Sequence, residues 1–264
     1  MSARAAILLL VSACAGAASA QDLRGRLQEI EDGDVTFSFD ARNGVCGDGE
    51  VIVHERVGEG RSVSYVGRNA TFDTHDRDFD NLDSWCRPGP VHVRMTRSQT
   101  RVTDLQLAVG PAVFTEAHSL GEVTPGEAVE LLVNDIARAG DRRVARRALH
   151  AAAMADAESW RAFLVIARDS TLDSSVRRGA RQWLARDAAE LLLARAPVLD
   201  DATEVKRHAV FALSRRKDDR SRDALWEIAE SGDDLAIRSA AVFWLGLSDD
   251  PRALGMLEAV LREG

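Results

Sequence analysis

Four apolar residues, Val144, Val176, Val205 and Ile237, recur through the second half of the chain at intervals of 32, 29 and 32 residues. No other feature narrows the fold as far, because a period of that length is one two-helix unit of a stacked array. Four positions after each stand Ala148, Ala180, Ala209 and Ala241, and four later again Ala152, Leu184, Leu213 and Leu245. A spacing of four keeps residues on one helical face, so the first helix of each unit carries a stripe narrow enough for close packing. The second helix repeats as well. Ala162-Phe163-x-x-Ile166-Ala167 reappears as Ala224-Leu225-x-x-Ile228-Ala229 at an offset of 62. A single pair cannot cover its own apolar stripe, so pairs must stack on their neighbours.

Capping chemistry fits this reading. Thr124, Pro125 and Glu127 form a capping-box start for the helical half, and an Asp before each first helix suits the positive end of a helix. Arg146, Arg177, Lys206 and Arg238 follow the repeating apolar column and are expected to pair with neighbouring units.

The last unit reads Asp233-Asp234-Leu235-Ala236-Ile237-Arg238-Ser239-Ala240-Ala241-Val242-Phe243-Trp244-Leu245-Gly246, then Asp249-Asp250-Pro251-Arg252-Ala253-Leu254. It resembles the bacterial HEAT repeat, whose pattern has an acidic residue, Val-Arg, paired alanines, Leu-Gly, and Asp-Pro ahead of a second helix. Other units depart from that pattern: Gly179 replaces the first alanine, His208 holds the same place in the next unit, and no proline follows Lys217-Asp218-Asp219. The resemblance covers residues 120–264. It implies a right-handed α-solenoid of about four helix pairs, with second helices lining a concave binding face.

The first half has a different period. Val35, Phe37 and Phe39 alternate with polar residues, Val51-Ile52-Val53 follows, and Val91, Val93 and Met95 alternate with His92 and Arg94. After Ser98-Gln99-Thr100 the alternation resumes at Val102, Leu105, Leu107 and Val109, with a one-residue slip near Thr103 that marks a bulge. This predicts a small antiparallel sheet with a hairpin over 91–109, preceded by a short helix within 22–31. The fold class is therefore α+β: a signal segment at 1–20, a small β-rich domain at 21–118, and helix pairs at 122–264.

Residues 1–20 carry Arg4, an apolar run from Ala5 to Val11, and Ala18-Ser19-Ala20 before Gln21, the grammar of an export signal. The apolar run is far short of the roughly 20 residues a membrane span needs. Two processing outcomes fit. The signal is cleaved after Ala20, or Cys14 in Val11-Ser12-Ala13-Cys14, which resembles a lipobox, becomes a lipid anchor. Either way the protein is expected outside the cytoplasm, periplasmic, extracellular or held at the outer envelope. There the remaining pair, Cys46 and Cys86, reads as one disulfide, free thiols being the alternative.

The chain carries 34 Lys and Arg against 42 Asp and Glu, a net charge of −8. That balance argues against nucleic acid, which needs a basic face. None of the six histidines has metal-site spacing, and no nucleophile elbow, phosphate loop or dinucleotide fingerprint is present. The acidic run from Asp73 to Asp83 mimics a calcium loop, but Asn81 and Arg87 stand where its glycine and closing glutamate belong. It reads as a solvated loop, and no cofactor is expected.

Binding residues are sought among the tryptophans. Trp160, Trp183 and Trp244 fall on apolar stripes, whereas Trp226 projects more than roughly 100° from the centre of the stripe set by Leu225, Ile228 and Ala229. Trp226 is thus the candidate anchor, rimmed by Arg222 and Arg252, with packing against the next repeat as the alternative. The expected function is a non-enzymatic exported scaffold that binds an envelope protein or peptide. The alternative is an accessory subunit or enzyme with a small-molecule site in the β-rich domain.

Overall fold

The computed structural model describes residues 23–56, 60–65, 81, 84–111, 114–115, 117–193, 201–216 and 218–263. The export segment with Cys14 and Ala20, and the acidic run apart from Asn81, lie outside the described residues.

Helix α1 (Leu23–Gln28) turns Leu23 and Leu27 inward, one turn apart. Strands β1 (Gly33–Phe39), β6 (Val91–Ser98), β7 (Arg101–Val109) and β8 (His118–Glu122) form one sheet in the order β7-β6-β1-β8. All its pairings are antiparallel except β1 with β8, which is parallel. The period-two residues Val35, Phe37, Phe39, Val91, Val93 and Met95 are all buried. The expected bulge is present: Thr96 faces Asp104 and Arg97 faces Val102, leaving Thr103 unpaired. At the hairpin tip Gln99 and Thr100 both have positive φ (49° and 68°), the conformation a two-residue turn demands.

A second sheet runs in the order β4-β3-β2-β5, from β2 (Val45–Gly47), β3 (Val51–Arg56), β4 (Gly60–Tyr65) and β5 (Arg87–Pro88). Cys46 and Cys86 are joined by a disulfide with Cα atoms 5.4 Å apart. The sheets abut backbone to backbone at Gly47 and Gly110. A Cβ on Gly47 would lie 2.7 Å from the Val109 carbonyl oxygen, so only glycine fits there.

The helical half begins as its capping chemistry dictates. Thr124 accepts from the Glu127 N–H while the Glu127 carboxylate accepts from the Thr124 N–H, and Pro125 opens α2 (Pro125–Val129). The helix continues as a π-helix over Glu130–Ala137, burying Leu131, Leu132, Val133 and Ile136. There follow α3 (Arg142–Ala153), α4 (Trp160–Arg168), α5 (Ser174–Leu193), α6 (Asp201–Arg215), α7 (Asp219–Ser231), α8 (Leu235–Leu247) and α9 (Ala253–Arg262). Asp141 caps α3 and Asp234 caps α8 through backbone amides, and the Asp173 carboxylate accepts from Ser175 N–H at the start of α5. Two of the recurring arginines bind carbonyls of the preceding stretch of chain: Arg177 Nη1 donates to Leu172 in the loop before α5 (2.8 Å) and Arg238 Nε to Ala229 near the end of α7 (2.8 Å).

Two features depart from a stack of pairs in chain order. The second unit, that of Val176, is one continuous 20-residue helix over Ser174–Leu193, α5, with no hairpin within it. Among the described residues α5 packs on α3, α4, α8 and α9, and α6 packs on α7 and α8. The last pair therefore lies against α5, with α8 between α5 and α6. The close approach rests on small residues. Gly246 faces Ala185 so tightly that a Cβ at Gly246 would sit 2.5 Å from the Ala185 Cβ, and Ser239 Oγ donates to the Ala189 carbonyl (2.8 Å).

One hydrophobic cluster runs through both halves, joining Val35, Phe37, Met95 and Leu105 of the first sheet to Leu132, Val144, Leu149, Leu184 and Leu245 of the helices. Val51, Val53 and Cys86 form a small separate cluster under the second sheet.

Candidate functional site

Trp226 is not the exposed anchor its helical wheel suggests. It is 6% exposed, its indole N–H donates to Asp250 (3.1 Å), and the Arg252 guanidinium covers its ring at 4.4 Å. The wheel is right about the helix and silent about the neighbour: the α8–α9 connection folds over that face of α7. Asp250 accepts from Arg252 as well, through a side chain only 9% exposed. The Arg252 hydrogen bonds, outweighing burial, hold its carboxyl well below the usual carboxylate range. Arg252 keeps half its side chain in solvent. Arg222 is also exposed and pairs with Asp219 one turn earlier on α7. The structure thus brings Trp226 and Arg252 together as a buried contact between pairs, with Arg222 on the α7 surface.

Trp160 is buried, and Trp183 and Trp244 are partly buried against the core. His150 stacks on Trp183 with ring centroids 5.5 Å apart, and the Arg186 guanidinium lies over the Trp183 ring at 5.5 Å.

Among the described residues an exposed aromatic lies elsewhere. Phe211 on α6 is 43% exposed and rests on Trp244 of α8 with centroids 5.0 Å apart, while Phe243 meets Trp244 edge to face. The wheel argument applied to Trp226 would have found it: Val210 is buried and Phe211 lies about 100° round the helix from it. Aromatic side chains, Phe among them, are enriched at the cores of protein interfaces.

A cleft of about 330 Å³ opens where α1, the β6–β7 hairpin and the π-helix meet. Leu27, Val102, Leu131 and Ile136 supply its apolar walls, and Arg24, Arg97 and Arg101 its charged ones. Among the described residues no group of His, Cys, Asp and Glu is arranged to hold a metal ion, and no helix is long and apolar enough to cross a membrane.

No curated protein and no solved structure matches this chain. The family model for HEAT repeats matches residues 189–264, from the last turn of α5 through α9, and repeats of this kind commonly serve as protein-interaction modules.

Proposed function

We propose that the protein is an exported, non-enzymatic scaffold whose helical half recognises another envelope protein or peptide. The observation that carries this reading is the HEAT-repeat match over the segment that also bears the exposed Phe211. The Cys46–Cys86 disulfide supports an oxidising compartment, since such bonds persist outside the cytoplasm. The partner's apolar anchor falls on Phe211 above Trp244, and Arg222 and Arg252 supply charged contacts on the neighbouring surface of α7 and the α8–α9 turn. An anchor of this kind typically costs about 2 kcal/mol or more of affinity when truncated.

The test is retention of a partner from envelope extract on immobilised protein, beside copies carrying Phe211→Ala and Arg252→Ala. Saturable capture, lost with Phe211→Ala and weakened with Arg252→Ala, is the expected result. Turnover of a substrate by the purified protein, or capture indifferent to both substitutions, overturns the reading.

A further inference from the structure

Arg97 is a buried cation without an ionic partner among the described residues. It is 6% exposed, and its guanidinium is held by neutral groups: the carbonyls of Leu27 and Ile30 at the end of α1, and that of Thr100 in the hairpin turn (2.8 Å). Its Nε has no acceptor among the described residues. Burial lowers its pKa, and the charge of Asp32 offsets this only in part. A buried charge normally has a counter-charge close by, because desolvating it alone costs several kcal/mol.

The surroundings supply further positive charge. Arg97 lines the cleft beside α1 together with Arg101, which is exposed, and Arg24, which is tied to Asp135 (2.7 Å). Three guanidiniums thus face one carboxylate, in a chain whose net charge is −8. The cleft also has an apolar lining, with Leu27, Leu131 and Ile136 all buried. A cleft of about 330 Å³ falls at the small end of the range that takes compact ligands. The helix that forms one wall is in the π conformation, a geometry frequent at functional sites.

We propose that this cleft binds a small amphiphilic carboxylate, its head between Arg97 and Arg101 and its apolar chain against Leu131 and Ile136. The anion adds a counter-charge to Arg97, whose burial the charge of Asp32 offsets only in part, and the apolar walls shelter the pair from water. The site is separate from the Phe211 surface, so its failure would leave the scaffold role untouched.

The probe is octanoate, labelled with 13C at its carboxyl carbon and titrated into the full chain by NMR, beside octanamide, which keeps the chain and lacks the charge. Octanoate is expected to saturate and to bind about tenfold or more tighter than octanamide, as a charged hydrogen-bonded head requires. Arg101→Gln and Arg24→Gln, both on exposed side chains and checked for native circular dichroism, are each expected to weaken octanoate about 3- to 10-fold. They should leave octanamide unchanged. Equal affinity for octanoate and octanamide, octanoate binding unaffected by both variants, or no saturable signal overturns the proposal.

Discussion

His150 is a side chain whose charge state the fold controls within the accessible pH range. Burial, followed by the nearby Arg186 guanidinium, pushes its pKa down to about 4, whereas an unfolded chain holds histidine near 6.5. The folded protein therefore keeps the ring neutral over a range in which the unfolded chain takes up a proton. The stability this confers is complete above about pH 6.5 and falls as pH drops towards 4. Carboxylates with depressed values behave differently. Asp218, held at about 2 by the Ser221 N–H and Arg216, contributes stability that is lost only as pH falls below about 4. Melting temperature should thus decline between pH 6.5 and 4.5, and His150→Phe, which retains a ring against Trp183, should flatten that decline. Parallel profiles for the two proteins, measured by circular dichroism, would show that His150 is solvated. Such a residue is hard to recognise from sequence. His150 stands near the end of an alanine-rich helix that reads as surface or packing, and its stacking partner Trp183 and the nearby charge of Arg186 come from another helix. Trp226 fails in the same way, because a helical wheel contains one helix and the Asp250–Arg252 turn belongs to another.

Local grammar decides the elements themselves. The Thr124 box, the Asp141 and Asp234 caps, the hairpin turn and the Thr103 bulge each depend on a handful of adjacent residues, and each is found where the sequence puts it. The helix pair expected of the second unit, that of Val176, rests instead on the repeat period alone. From Val176 to Leu193 there is no proline, and the one glycine, Gly179, lies near the start, so nothing stops α5 short of twenty residues. Two glycines make the packing of these helices testable. Gly179 occupies a place where the family pattern has alanine, and a Cβ there would meet only Leu149 at an ordinary 3.7 Å. Gly179→Ala should therefore stabilise the protein by about 0.5–1 kcal/mol through helix propensity and the unfolded chain. At Gly246 the same change drives a Cβ to 2.5 Å from Ala185 and 3.1 Å from Leu257. The overlap costs about 1–3 kcal/mol, more than the propensity gain, so Gly246→Ala should be destabilising. Urea midpoints of the two variants should move in opposite directions. A stabilising Gly246→Ala would mean that α5 and α8 stand further apart than described.

Across the described residues, strands and helices share one hydrophobic core at their join. Met95 and Leu105 of the first sheet share a hydrophobic cluster with Leu132, Val144 and Leu149, and that cluster continues to Leu245 and Leu257. A polar contact reinforces it. Asp104 on β7, 9% exposed, accepts from Arg143 (3.0 Å) and Arg147 (2.8 Å) of α3, and Arg147 also donates to the Leu105 carbonyl (2.8 Å). Burial alone would raise the Asp104 pKa, yet the hydrogen bond from Gln106 and the charges of Arg147 and Arg143 bring it below the ordinary value. The change of sequence period near residue 122 marks a change of secondary structure, and the packing carries on across it. Sequence alone cannot supply this, because the residues that meet at the join are about forty positions apart. It follows that the first sheet and the helices should unfold together. Arg147→Ala leaves a largely buried carboxylate with one arginine instead of two, a loss of about 1–3 kcal/mol. If the halves are one cooperative unit, calorimetry of this variant will show a single transition shifted down, with strand and helix amides losing exchange protection in step. A variant that frees only β6 and β7, while α3 to α9 melt at the parent temperature, would mean that the two halves hold their structure independently.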